Sequence, residues 1–262
     1  MAQQSRYKSV DMNPILLPSR LWSRSLPADA WEAPESWGER RAPVRADHFA
    51  KQAAGVCELY SVCLARATPI PAGHGTIALR AVEPDTEGFQ PGYSEPYPRT
   101  SDIATARLDP ALLDLPPETR PSAYLNWLQP VLLGLAATRG VSAAGFHEAY
   151  DATLAEGCLM SWEGPGRSSP DRRHRATPHY AIDAQGDAWL RVVIRSRDGT
   201  PVAEGGPWES DLRPYRWRRH ARTLTWPTPA EVSIEAFLTT TADAWGVEQR
   251  HTLTVHPHGV DR

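Results

Sequence analysis

Lysine is nearly missing from this chain: Lys8 and Lys51 are the only two in 262 residues, so almost all positive charge is arginine. A GC-rich coding sequence accounts for that bias as well as any function does. The physical consequence stands either way, because guanidinium forks suit carboxylates and phosphates and stack on aromatic rings. Cysteine is equally sparse. Three residues, an odd count, make no disulfide framework. Long apolar runs are absent too: VLLGLAA is far too short to span a bilayer. The N-terminal MAQQSRYKSVDMNPILLPSRLW carries no continuous apolar stretch of the secretory kind. A cytoplasmic protein with no membrane association is expected.

The usual signatures of catalysis are also lacking. GxSxG, the P-loop pattern, GxGxxG and HExxH do not occur, which removes the ordinary support for hydrolase, nucleotidase, dinucleotide and zinc-protease readings. Cys57 and Cys63, read on a strand, lie about 20 Å apart along it. That is too far for a disulfide or a shared metal. Cys158 follows a helix C-terminus, where the dipole disfavours a thiolate. His256 and His258 alternate near the chain end without partner ligands, so no metal site and no cofactor are expected.

What is present is an ordinary globular balance, 41% hydrophobic and 23% charged, with a net charge of -3 that argues against wholesale polyanion binding. The average conceals a local excess. From Arg167 to Arg222 there are 12 arginines against 7 acidic residues.

Residues 1–50 read as an irregular Trp/Pro-rich arm anchored by Trp22, Trp31 and Trp37. Residues 51–262 read as a single α+β domain, or as two strand-rich halves, 51–115 and 158–262, around two helices. VCELYSVCLARAT and GTIALRAVE suggest a hairpin around PIPAGHG, and SDIATARLD a third strand. Residues 118–156 then form a central helical hairpin. Tyr124, Trp127, Leu128, Val131 and Leu135 fall at helical spacing, Gly140 stands at a C-terminal cap, and Pro130 predicts a kink or break. Ser142 is placed to cap the second helix, with Phe146, Tyr150 and Leu154 on one face. Strands HYAID, AWLRVVIRSR, TLTW, EVSIEAFLTTT and VEQRHTLTVH follow, with a tight turn at Asp198-Gly199. The expected fold is α+β with mostly antiparallel sheet.

Two basic segments carry the functional expectation. One is the loop Arg172, Arg173, His174 and Arg175. The other is RPYRWRRHARTLTW, Arg213 to Trp226. Read as a strand, the second puts Arg216, Arg218, His220 and Arg222 on one face and Tyr215 and Trp217 on the other. That separation of rings from charges weakens a stacking mechanism on nucleic acid. Pairing Trp226 with Glu231 sets Arg222 opposite Glu235. A one-residue shift sets Leu224 against Val232 and Arg222 against Ile234, and a β-bulge near Arg222 to Leu224 would reconcile them.

The leading expectation is a non-enzymatic protein-binding or accessory protein of the immunity or adaptor kind. It would use Arg172, Arg173, His174, Arg175, Arg216, Trp217, Arg218 and Arg222 on a protein partner. The alternatives are nucleic-acid binding through the same arginines and an enzyme with a site near His74, Glu83 or His179. The oligomeric state is left open.

Overall fold

The computed structural model describes residues 9–12, 45–72, 75–82, 92–94, 102–238 and 247–254. Most of the Trp/Pro-rich arm, Trp22, Trp31 and Trp37 included, lies outside them. The chain is α+β with mostly antiparallel sheet, and it divides into two compact units, Met1–Cys158 and Leu159–Arg262.

In the first unit, β1 (Ser9–Met12) pairs in parallel with β2 (Thr76–Val82), and β2 in parallel with β4 (Asp102–Arg107). The short β3 (Gly92–Ser94) closes the order β1-β2-β4-β3. Between β1 and β2 runs α1 (Arg45–Arg66), so the expected hairpin over 56–84 is corrected to a β-α-β unit. The reason is periodicity. Phe49, Ala53, Val56, Tyr60 and Cys63 recur every three or four residues, and all are buried. The strand reading of VCELYSVCLARAT is therefore wrong. Cys57 and Cys63 are separated by about 9 Å of helical rise instead of 20, and both are buried.

The helical hairpin is present as α2 (Arg120–Arg139) and α3 (Ala144–Ala155). Gly140 ends α2 in the left-handed region, φ 63°, where no Cβ penalty arises. The helix runs through Pro130 without a break. Ala143, not Ser142, holds the N-cap of α3, although the Ser142 hydroxyl accepts from the Ala144 N–H at 3.3 Å. The buried face of α3 is Phe146, Ala149 and Thr153, while Leu154 is 48% exposed, so the face differs from the Phe146–Tyr150–Leu154 reading. A buried polar knot ties the three helices: the Tyr60 hydroxyl donates to the Phe146 carbonyl at 2.9 Å, and Gln129 Nε2 reaches the same oxygen at 3.3 Å. Burial pushes the Tyr60 hydroxyl pKa far up, so it stays a donor.

The second unit holds two antiparallel sheets. The larger runs β5 (Ser161–Glu163), β7 (His174–Ile182), β8 (Ala188–Ser196), β9 (Pro201–Glu209), with β6 (Arg167–Ser168) also on β7. The smaller is β10 (Thr225–Thr228), β11 (Glu231–Leu238), β12 (Val247–Thr254). Alternation gives the larger sheet two unlike faces. Ala176, Tyr180, Ile182, Leu190, Val192 and Ile194 are buried on one. Arg175, His179, Arg191 and Arg195 stand on the other. Pro178 interrupts β7 at the gap between β5 and β6, where no neighbouring strand needs its missing N–H. The Asp198-Gly199 turn is present, with Gly199 at φ 91°.

Candidate binding surface

The segment Arg213 to Trp226 is not one strand. Pro214–Ala221 forms the short helix α4, and only Thr225 onward is extended. Local chemistry dictates this. Pro214 at the first helical turn has no N–H to satisfy and a φ already set for the helix. Asp211 stands just ahead of it: its carboxylate accepts from the Arg213 N–H at 2.8 Å and from Arg216 Nη1 at 2.6 Å. Trp217 Nε1 donates to the Asp211 carbonyl at 2.6 Å. Trp217, His220, Ala221 and Leu224, at helical spacing, are all buried. The basic last turn, Arg218, Arg219 and His220, complements the helix dipole.

Two expectations are corrected by this helix. Trp217 is fully buried and belongs to the core, not to a binding surface. Arg218 and Arg222 do not sit on a strand opposite Glu235. In the observed ladder Thr225 faces Ser233 and Thr228 faces Glu231, with a register irregularity between them. The Glu235 N–H donates instead to the Thr223 hydroxyl at 2.9 Å.

Helical geometry also reunites what the strand reading separated. Tyr215, Arg218, Arg219 and Arg222 occupy positions i, i+3, i+4 and i+7, one exposed face. Tyr215 is 67% exposed and Leu212, just before the helix, 37%. Among the described residues only three large hydrophobic side chains are exposed, and two of them flank this helix entry. Arg216 is bound to Asp211, and its guanidinium carbon sits 5.8 Å from the Tyr215 ring centre. The hydrogen bond from Arg213 to the Tyr215 hydroxyl pulls that hydroxyl below its ordinary pKa. The sequence carried a signal for this helix: Arg-Pro followed by apolar Trp217, Ala221 and Leu224 at helical spacing.

The loop Arg172 to Arg175 is divided by β7. Arg172, at φ 59°, and Arg173 precede the strand and are exposed, as is Arg175. His174 turns to the core side and stacks on Trp226 with centroids 6.4 Å apart. Trp226 Nε1 in turn donates to the Arg167 carbonyl at 2.9 Å. Asp171 shapes the loop: its Oδ1 accepts from the Ser169 hydroxyl at 2.6 Å and the Arg173 N–H at 3.1 Å. Those bonds hold its carboxyl below the usual range. His174 and Tyr180, under Trp217, are six residues apart on β7, about 20 Å.

His74, Glu83, His256 and His258 lie outside the described residues. His179 stands alone with Glu163, Nδ1 to Oε2 at 3.8 Å. Among the described residues no three His, Cys, Asp or Glu side chains converge as metal ligands. A hollow of about 520 Å³ in the first unit is lined by His48, Gln52, Pro110, Leu113 and Asp114. Among the described residues no serine, threonine or cysteine lines it. Burial pushes the Cys158 thiol up, away from reactivity. No described helix is long and apolar enough to cross a membrane.

The molecule is therefore an α+β chain whose second unit presents an arginine-faced helix. Comparison with protein-family models, curated proteins and solved structures finds no match.

Proposed function

We propose that this chain is a non-enzymatic binding protein of the adaptor or immunity kind, acting in the cytoplasm, which docks a protein partner through α4. The observation that carries the reading is the exposure of Tyr215 and Leu212 beside Arg218 and Arg222. Tyr and Arg dominate interface hot spots, because each combines a large contact area with directed polar groups. An apolar centre next to guanidinium forks suits a protein surface with an acidic rim around a small hydrophobic recess.

Nucleic acid is the second reading, and one observation favours it. On a helix Tyr215 lies beside the arginines, the arrangement in which a base stacks while a phosphate is neutralised. The exposed Leu212 and the net charge of -3 favour protein.

A photo-crosslinking residue in place of Tyr215 tests both. The expected product in cells is one protein adduct of defined mass that disappears in the R218E/R222E double variant. Adducts to nucleic acid would replace this reading with the second. An absence of adducts, or adducts indifferent to the charge reversal, would remove α4 as a docking element.

A further inference from the structure

The hollow of the first unit stands where its parallel strands end. Trp127 of α2 donates its indole N–H to the carbonyl of Arg107, the last residue of β4, at 3.1 Å. The same ring packs edge-on against Phe49, in the first turns of α1, at 4.8 Å. β2 finishes at this edge too, since the carbonyl of its last residue, Val82, accepts from the Leu108 N–H at 2.9 Å. At the other end of β4, Asp102 is ion-paired to Arg139, the last residue of α2. Both helices therefore start at the carboxyl edge of the parallel strands. In open sheets of this kind ligands bind in the crevice at that edge, between the connections that leave the strands.

Two such connections wall the hollow. His48 and Gln52, four residues apart on α1, share one helical face. Pro110, Leu113 and Asp114 come from the 3-10 turn Pro110–Leu112 and the residues just after it, which follow β4. The volume of about 520 Å³ falls within the range of small-ligand sites.

The polar groups on these walls are oriented but unoccupied by the fold. The Tyr124 hydroxyl donates to Gln52 Oε1 at 2.6 Å, and burial pushes its pKa up to about 12, so it keeps the proton it donates. That bond fixes the amide and leaves Nε2 as its free donor. His48 and Asp114 are exposed, and neither side chain makes a hydrogen bond or ion pair among the described residues. One wall thus offers donors, the Gln52 amide and the His48 imidazole. The other offers an anionic acceptor, Asp114, beside the apolar surface of Pro110 and Leu113.

We propose that this hollow binds a free amino acid with an apolar side chain, its ammonium on Asp114, its carboxylate on Gln52 Nε2 and His48, and its side chain against Pro110 and Leu113. A zwitterion meets both walls with a charged group, and charge-assisted hydrogen bonds are about twice as strong as neutral ones. A sugar fits less well, because none of the five lining residues is aromatic and its ring has no flat apolar face to lie on. A phosphate would meet the Asp114 carboxylate with no arginine or lysine on the wall to offset it. The inference does not rest on the role of α4, which belongs to the second unit.

Isothermal titration calorimetry on the full chain tests it with L-leucine and L-phenylalanine as ligands. Leucinamide keeps the ammonium without the carboxylate, N-acetyl-L-leucine keeps the carboxylate without the ammonium, and methyl glucoside serves as the uncharged polyol. One or both amino acids are expected to bind. Each blocked form of leucine should bind at least about ten-fold more weakly than leucine, the scale of one charge-assisted contact. Asp114→Asn should cost a similar factor at an unchanged melting temperature. Asp151→Asn, which removes an exposed carboxylate of α3 that does not line the hollow, should change nothing. The two blocked ligands give their reading on the parent chain, without any substitution. No binding of either amino acid, equal binding of either blocked form, tighter binding of the glucoside, or full affinity in Asp114→Asn would each overturn the proposal.

Discussion

Tyr180 and Trp217 stack with ring centroids 5.3 Å apart and planes 16° from parallel, and this contact seats α4 on β7. Trp162 packs against the same tyrosine at 5.7 Å. Both Tyr180 and Trp217 are fully buried, so the arginine face of α4 is held from beneath by an aromatic layer. Replacing Trp217 with alanine is expected to cost about 3–5 kcal/mol, the range for removing a buried large aromatic. Urea denaturation would read it as a lower midpoint. Unchanged stability would mean that α4 is not anchored here.

The same layer predicts a substitution of the opposite sign. The Tyr180 hydroxyl is buried and has no hydrogen-bond partner among the described residues, and burial drives its pKa far up. A buried unsatisfied hydroxyl costs about 1–3 kcal/mol, whereas an isosteric apolar group leaves the packing intact. Tyr180→Phe should therefore be neutral or stabilising, by up to about 1 kcal/mol. A lower thermal midpoint would show that the hydroxyl is satisfied in solution, for example by a water.

Much of this core was legible in the sequence. The 118–156 hairpin, β7, β8, β11 and β12 follow from spacing, cap residues and turn chemistry, because each has one period and clean punctuation. The failures share a cause. Around Val56 to Cys63 and Arg216 to Arg222 a two-residue alternation and a helical period coexist, and only tertiary burial chooses between them. At α4 the deciding residues were Pro214, as a helix start, and the buried set Trp217, His220, Ala221 and Leu224. Arg175 opposite Arg195 was not legible, since it needs the register of two strands joined by a five-residue turn. Nor was β9, whose glycines and prolines mask a strand.

Gly145 predicts a steric cost. A Cβ there would lie 2.2 Å from the Thr68 carbonyl oxygen and 2.9 Å from Ile70 Cγ1. That loop cannot easily withdraw, because Glu148 accepts from both the Thr68 N–H and its hydroxyl at 2.7 Å. Gly145→Ala should destabilise by about 1–3 kcal/mol, as overpacking does. Gly157 makes the comparison: it has open space but φ +86°, so alanine there costs only the backbone term, about 1 kcal/mol. If Gly145→Ala proves milder than Gly157→Ala, the close approach is not a constraint in solution.

His251 predicts a pH dependence. Its ring stacks on Trp208 at 4.6 Å, its Nε2 is buried without a partner among the described residues, and desolvation lowers its pKa below 6.5. The folded state therefore prefers the neutral imidazole, and the unfolded chain takes up a proton first. Above pH 6.5 the group has no effect. Stability falls as pH drops through 6.5 towards the lower folded value. A His251→Phe variant should flatten the melting temperature between pH 7 and pH 5 relative to the parent chain. A parent chain more stable at pH 5 than at pH 7, with the difference abolished by the variant, would reverse the sign and sink the assignment.

Arg216 and Arg218 stand two residues apart on α4 but differ in what they hold. Arg216 donates at 2.6 Å to Asp211, whose side chain is 1% exposed, so truncating it removes a partner from a buried carboxylate. Arg218 is exposed on the Tyr215 face. Arg216→Ala should lower stability by about 1–3 kcal/mol, the cost of under-satisfying a buried charged group that keeps its backbone donor at Arg213. Arg218→Ala should fall within about 0.5 kcal/mol of the parent while weakening partner capture. Parallel denaturation and crosslinking measurements separate the two effects. If Arg216→Ala abolishes capture at full stability while Arg218→Ala leaves it intact, then the docking contact runs through the Asp211 side of the helix and not through its exposed face.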